Sequence, residues 1–541
     1  MNSFRKWLPL LILSLALTII ILDTTILNVS LRTIINDLHT DIQSIQWVIT
    51  AYSLMIAAFT ITGGRLGDLF GRKKMFVLGA AIFAVGSFMT SISQSVGFMI
   101  AGEAIVEGIG ASLMLPATTS LLVSSYKGKD RQIGFGIWGA IAGGAAALGP
   151  VIGGWLTTYS SWRWAFRINV VVALLLVVGA FFISEVRDKE EKPQLDFVGI
   201  ILSVIGMFLV IFGVIQSTGY GWLTMKTTTE LLGITLQAGS ISPVLPLIFD
   251  GLLTLAIFLL WEDHITYKGR TPLVSLKLFR NKQFTTGVII STILGLGQAG
   301  LFFAIPVFLQ AVKHLDALNT GLAMLPMTFS LLVGSLLSAV LGKYLTPKKI
   351  VQLGLVMNFL GFLALWGTLQ TDVSLLMLAP GFILFGAGMG FIISVISNIT
   401  LSAVSVQEAG EASGVNGTMR QVGSTLGSAI IGALLISSLG ANLVKGVNSS
   451  QVIPEAAKPQ ISDAVSKQAS SIEFGSSDTS KSPLPPTITT ELTKISQQAT
   501  VDANKETFLL GAAFILIALL ISIQLPATKN IETGKSLAGA H

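Results

Sequence analysis

The chain has 541 residues, of which 52% are hydrophobic and only 11% charged, and its mean hydropathy is +0.76. Water-soluble domains carry about a quarter charged residues, so a string of soluble domains is excluded and an all-α polytopic membrane protein is expected. The chain has no cysteine, and its histidines (His39, His264, His314, His541) are scattered without zinc-ligand spacing. Disulfides, thiolate metal sites and cysteine nucleophiles are therefore excluded, and neither a metal nor a cofactor is expected.

Apolar runs matching a roughly 30 Å hydrocarbon layer begin at 8–28. That run reads as a first span, because no small-residue cleavage site precedes the next polar stretch. Further runs follow at 45–63, 75–93, 97–123, 134–154 and 167–184, then at 196–216 and 243–261. The last six lie at 285–309, 320–341, 350–368, 374–399, 413–437 and 506–526. This count of fourteen puts both termini on one side.

With the N-terminus inside, the inner segments collect the cations, among them Arg65, Arg72, Lys73, Lys74, Arg187, Lys189, Lys192, Lys529 and Lys535. The short outer segments hold Arg32, Arg163, Arg167, Lys226 and Lys313. This bias follows the positive-inside rule. It predicts a cell-membrane protein with both termini cytoplasmic, and it explains the net charge of +6 without nucleic acid. The long outer segment 438–505, rich in Ser, Thr, Lys, Gln and Pro, reads as a solvated spacer or a set of short amphipathic helices.

A glycine-containing basic turn follows both the second span (GGRLGDLFGRKK) and the tenth (LGKYLTPKK). The pattern predicts a six-helix bundle over 1–185, two inserted spans with a linker over 186–283, and a second six-helix bundle over 284–541. Repeats of this kind are typical of secondary transporters, with the substrate bound at the repeat interface.

Several stretches carry a family resemblance: LDTTILNVSL (22–31), QWVITAYSL (46–54), GRLGDLFGRKK (64–74), GAIAGGAAALGPVIGGW (139–155), SWRWAFRIN (161–169) and SGVNGTMRQVGSTLG (413–427). Together they resemble the fourteen-span drug:proton antiporters of the major facilitator superfamily. The resemblance implies the major facilitator fold and efflux of lipophilic or cationic small molecules in exchange for protons, by alternating access. It assigns Gly64, Asp68, Gly71 and Arg72 to a cytoplasmic gate. Asp68 is expected to sit near the start of the third span, where a helix N-terminus favours an anion. Gly149, Pro150, Gly153 and Gly154 correspond to the antiporter motif of span 5, a helix assigned to sealing and opening the outer half. Gly-Pro interrupts the backbone ladder, and the glycines permit close helix approach.

The chain departs from the family in span 4. Glu103 stands where relatives usually carry an arginine, and Glu107 where they carry a glutamine. Spaced four apart, the two carboxylates share a helix face, in a layer where each costs roughly 2.5–3.5 kcal/mol on insertion scales. With spans 1 and 4 lining the cavity, Asp23 meets them at similar depth. Such a trio shares at least one proton, for which a cationic cargo competes. The rival is a structural ion pair of Glu103 with Arg167, or with Arg32.

Tyr52, Met55, Gln298 and Arg420 are candidate cavity residues, with Phe59, Met114 and Asn398 as further lining. Asp250 in span 8 reads as structural. GFGIWG (134–139) and GLGQAG (295–300) fit a dinucleotide pattern, but both sit in spans rather than in a strand–turn–helix unit. The partners expected are a small-molecule substrate, protons and the bilayer, without nucleic acid, and the protein is expected to be a monomer. An exporter of a lipid or a specific metabolite on the same scaffold is the nearest alternative. A sensor lacks a soluble output domain, and an enzyme lacks an activated constellation such as His-Glu-x-x-His or Gly-x-Ser-x-Gly.

Overall fold

In a computed structural model, residues 3–40, 42–185, 195–225, 228–231, 234–472 and 485–527 are described. Arg187, Lys189, Lys192, Lys226, Lys529 and Lys535 lie outside these residues, as do the side chains of Arg32 and Pro150. The long helices are numbered here in chain order. The first six are α1 (Ser3–Asp37), α2 (Ile42–Phe70), α3 (Arg72–Ser91), α4 (Val96–Ser125), α5 (Gly128–Tyr159) and α6 (Arg163–Gly179). Two follow, α7 (Phe197–Tyr220) and α8 (Val244–Tyr267). The rest are α9 (Lys282–Ala311), α10 (Leu325–Leu341), α11 (Pro347–Thr368), α12 (Leu375–Ser402), α13 (Ala409–Ser449) and α14 (Pro486–Ser522).

Among the described residues, 12 helices are long and apolar enough to cross a membrane, and Ile133–Ala145 and Leu325–Leu341 are shorter apolar helices at the two remaining expected spans. The chain is an integral membrane protein. Some helices start where the sequence supplies a side-chain acceptor for orphan N–H groups. Asp196 caps α7 through Gly199 N at 2.9 Å, and Asn281 caps α9 through Gln283 N at 2.9 Å. Thr346 caps α11, whose first residue is Pro347; a proline is tolerated there because that N–H would be unpaired anyway.

Helices α1–α6 pack together, as do α9–α14. The halves meet along two seams, α2 against α13 and α5 against α10 and α12. Glycines set these approaches, as expected where packing rather than hydrophobicity drives association. Gly64 lies on the backbone of Gly410 and Gly414, and Gly136 lies on that of Ser335. Helices α7 and α8 pack on each other, and α7 leans on α2 and α13. The outer faces of this pair are bare hydrocarbon, with Phe249 66% and Leu260 71% exposed.

One expectation is corrected, and two details are added. Segment 438–505 is not a plain spacer: α13 continues to Ser449, a helix spans Lys458–Ile472, and α14 starts at Pro486. Leu439, Leu443, Ala499 and Ala503 form a small apolar core there, with Val465 and Ile495 packed against it. Residues 473–484 of that segment lie outside the described ones. Between α7 and α8, Thr229–Leu231 pairs antiparallel with Ile234–Leu236, a hairpin the hydropathy pattern does not announce. Gly149 and Pro150 lie within α5, which runs from Gly128 to Tyr159 through both.

Helices α3 and α4 approach so closely that a Cβ on Gly86 would meet the Glu107 nitrogen and lie 2.7 Å from the Gly102 carbonyl oxygen. Gly97 faces open space. Overpacking of this kind costs about 1–3 kcal/mol. Gly86→Ala is therefore expected to lower the thermal midpoint of the detergent-solubilised protein by several degrees, whereas Gly97→Ala leaves it unchanged or slightly raised.

Candidate functional site

Helix α4 is not uniform. Ile100–Glu107 is wound as a π-helix between α-helical flanks. A π-turn inside a helix is rare and tends to mark a functional position. Glu103 opens toward the centre of the first bundle from this stretch, and Glu107 ends it. Both are fully buried, and Asp23 of α1 is 2% exposed. One carboxylate oxygen from each lies within 4.8 Å of the other two. The three acids that the sequence places at similar depth thus converge.

Their surroundings are neutral. Asn169 of α6 donates to Asp23 Oδ1 at 2.8 Å, and Ser87 of α3 donates to Glu107 Oε1. Among the described residues, Asp23 Oδ2, both Glu103 oxygens, Glu107 Oε2 and the Tyr52 hydroxyl have no hydrogen-bond partner. Tyr52 is itself fully buried and sits within electrostatic range of all three acids, so it belongs to this cluster. The set is all oxygen, unlike a zinc site.

The Glu103–Arg167 pair is not formed. Arg167 is exposed and lies over the Trp164 ring, 5.1 Å from its centroid. Residues two apart face opposite sides of a helix, so turning Asn169 inward to Asp23 turns Arg167 outward. Among the described residues, no lysine, arginine or histidine forms an ion pair with any of the three acids. The sequence reading overlooked Asn169 and Ser87; Asn169 was detectable as the polar residue closing SWRWAFRIN.

The gate residues assemble at the end of the molecule where α1 begins. Gly71 adopts φ +110, a left-handed conformation suited to glycine, and turns the chain from α2 into α3. Asp68, with a 7% exposed side chain, pairs with Arg72 at 2.8 Å. Its two oxygens accept the N–H groups of Gly410 at 3.1 Å and Glu411 at 2.7 Å. Asp68 therefore caps α13, across the seam, and not the third span as expected; the attraction between carboxylate and helix N-terminus is the same. Arg72 donates to the carbonyls of Val406 and, at 3.1 Å, of Gln407. Arg65 adds a contact to Glu411 at 3.8 Å.

The other candidates disperse. Gly149 and Gly153 lie against Thr25 and Ile26 of α1, within the first bundle, and Gly154 is buried. Met55 packs at Gly108. Gln298 on α9 and Arg420 on α13 are half-buried, and the Arg420 backbone touches Gly295 of α9. Asn398 lines a small cavity with Ser338 and Ser394. Asp250 is exposed near the start of α8.

Residues 13–428 match the family described as Major Facilitator Superfamily. The chain belongs to that superfamily. Over 452 residues it is 30% identical to the "Probable actinorhodin transporter" of Streptomyces coelicolor, covering 82% of this chain and 75% of that protein. It is 29% identical to the "Tetracenomycin C resistance and export protein" of Streptomyces glaucescens, over 81% of this chain and 77% of that one. It is 26% identical to the "Multidrug resistance protein Stp" of Mycobacterium tuberculosis, with the same coverages of 81% and 77%. The human organic anion transporter MFSD10 (TETRAN) has a similar fold, with a TM-score of 0.55, 14% identity, and coverage of 95% of this chain and 100% of that chain. As a superfamily member, the chain is a transporter of small molecules.

Two ion pairs give contrasting expectations. At the far end of α1, Arg163 pairs with Asp37, which also accepts from the Trp162 indole at 3.1 Å. Partial burial works against the Asp37 charge, but the Arg163 and Trp162 hydrogen bonds outweigh it and hold the carboxyl below its usual range. A lowered carboxyl stabilises fully above the unfolded value of about 3.9, and the effect fades as pH falls through the lower folded value. The Asp37 side chain is 43% exposed, so losing the pair in Arg163→Ala is expected to cost at most about 1 kcal/mol at pH 7, a part of the difference from the parent that fades as pH falls through the lowered folded value. Arg72→Ala leaves a buried carboxylate without its cation and is expected to cost about 3–5 kcal/mol. Thermal unfolding in detergent across pH checks both.

Proposed function

We propose that the protein exports lipophilic or cationic small molecules in exchange for protons by alternating access, with Asp23, Glu103 and Glu107 as the coupling groups. The carrying observation is the convergence of three buried carboxylates from α1 and α4 within 4.8 Å, with no basic partner among the described residues. Two ionised carboxylates at that separation repel by roughly 3.5 kcal/mol at an effective dielectric of 20. Three at once are unfavourable by about three times that, before the cost of dehydration. The cluster therefore needs positive charge, and a proton or a cationic cargo supplies it. Competition between the two for one site is the core of exchange.

The names of the relatives support the direction and class of cargo: transport or resistance to actinorhodin, tetracenomycin C and multiple drugs. Tyr52 and Met55, beside the acids, and Gln298 and Arg420, across the seam, are the proposed cargo contacts. Gly64, Asp68, Gly71 and Arg72 hold the gate. Gly149, Pro150, Gly153 and Gly154 let α5 slide on α1 when the opposite end opens. The rocking units are the bundles 1–185 and 284–541, with 186–283 riding between them. We place the protein in the cell membrane as a monomer with both termini cytoplasmic, because the cations favour that side. It acts as a carrier, not an enzyme.

Sealed vesicles with an imposed pH gradient test this, with ethidium as a fluorescent lipophilic cation. The parent is expected to drive ethidium against its gradient, and Asp23→Asn, Glu103→Gln and Glu107→Gln each to lose at least tenfold of that rate. Export that persists after the gradient is collapsed would refute proton coupling.

A further inference from the structure

The inserted pair α7–α8 has no assigned task, and a buried connection ties it to the gate. Glu262 of α8 is fully buried, and its Oε2 accepts the N–H of Val274 at 3.2 Å. The next amide, Ser275 N–H, donates to Oε1 of Glu411 in the first turn of α13. Two consecutive amides of the α8–α9 linker are thus held by two carboxylates, one from the inserted pair and one from the second bundle. Around them, Leu273, Val274 and Leu278 are 1–4% exposed. They pack in one apolar cluster with Phe258 of α8, Phe284 of α9, and Ala409 and Ala412 of α13.

Glu411 is the residue the gate uses. Its own N–H is bound by Asp68, and its other carboxylate oxygen faces Arg65. Anything that shifts segment 271–275 therefore moves the α13 N-terminus that Asp68 caps. The load cannot pass to solvent, because Glu262 and Glu411 are 0% and 3% exposed, and a buried backbone N–H that loses its acceptor costs about 1–3 kcal/mol.

We propose that Glu262 is a positioning residue for transport: through Val274 and Ser275 it straps the inserted helix pair to the start of α13 and holds the gate closed. The pair is then a membrane-embedded anchor for one gate position. Its apolar outer faces fix it in lipid, while the linker transmits that fixity to the seam. The inference borrows from the proposed function only that this face opens and closes; it does not depend on which ion drives the cycle.

The chain has no cysteine, so one introduced thiol reports gate opening. Thr418 is fully buried in the α2–α13 seam, where its hydroxyl donates to the Ala57 carbonyl at 3.3 Å. In a Thr418→Cys background, maleimide labelling of the full-length protein in detergent measures exposure of the seam. Glu262→Ala is expected to speed labelling about fivefold or more. Glu262→Gln, which keeps an oxygen acceptor for Val274, is expected to restore the parent rate. Ser275→Pro, which removes the second amide donor, should match Glu262→Ala, and Ser275→Ala, which keeps it, should match the parent. A folded Glu262→Ala variant labelled at the parent rate overturns the strap. If that variant does not fold, Ser275→Pro decides alone, and parent-rate labelling there overturns it equally. Ethidium exchange in the same variants separates the two readings. Faster labelling with proton coupling lost only in the Glu103 and Glu107 variants supports both. Faster labelling with export indifferent to the pH gradient keeps the strap and removes the proton account.

Discussion

Three carboxylates buried together, with no counter-ion among the described residues, impose the constraint from which the rest follows. Charge of one sign, held in a low-dielectric interior, is tolerable only if something mobile neutralises it. Lipid-embedded acids are usually paired, and intramembrane ionisable groups mark ion and substrate pathways. Here the neighbours are an amide, a serine hydroxyl and a phenol. None supplies positive charge. The π-turn at Ile100–Glu107 and the glycine contact between α3 and α4 hold the two glutamates in register against that repulsion.

The gate works by a different balance. Asp68 is also buried, but it is saturated by Arg72, by two amides of α13 and by the N-terminal field of that helix. These contacts hold one arrangement of the bundles. In the proposed cycle the acid cluster changes its state, whereas the gate registers which face is closed. Small residues along both seams allow the halves to separate without tearing interdigitated side chains, since Gly64, Gly410 and Gly414 meet backbone to backbone.

Much of this was legible in the sequence, for physical reasons. Hydropathy reports contact with lipid, so the spans were visible. It is blind to helices that continue into water, which is why the extension of α13 to Ser449 and the start of α14 at Pro486 were missed. The meeting of Asp23 with Glu103 and Glu107 followed from depth and helix direction together with the family resemblance, which implies that spans 1 and 4 line one cavity. Arg167 was misjudged because depth in the membrane says nothing about which way a helix is rotated; Asn169, two residues on, faces the acids instead. Asp68 was assigned to the N-terminus of the next helix, while the N-terminus it caps lies more than 340 residues away. The bonds from Glu262 and Glu411 to adjacent linker amides have no sequence signature, because backbone N–H groups look alike in every residue except proline.

The most direct measurement of the central claim is proton release on cargo binding. Ethidium added to the purified, detergent-solubilised protein in weakly buffered solution near neutral pH should liberate protons in step with binding. Release should be lost in Glu103→Gln and Glu107→Gln, even where ethidium still binds. Saturable ethidium binding by the parent with no proton released, at any pH between about 5 and 8, would contradict the account.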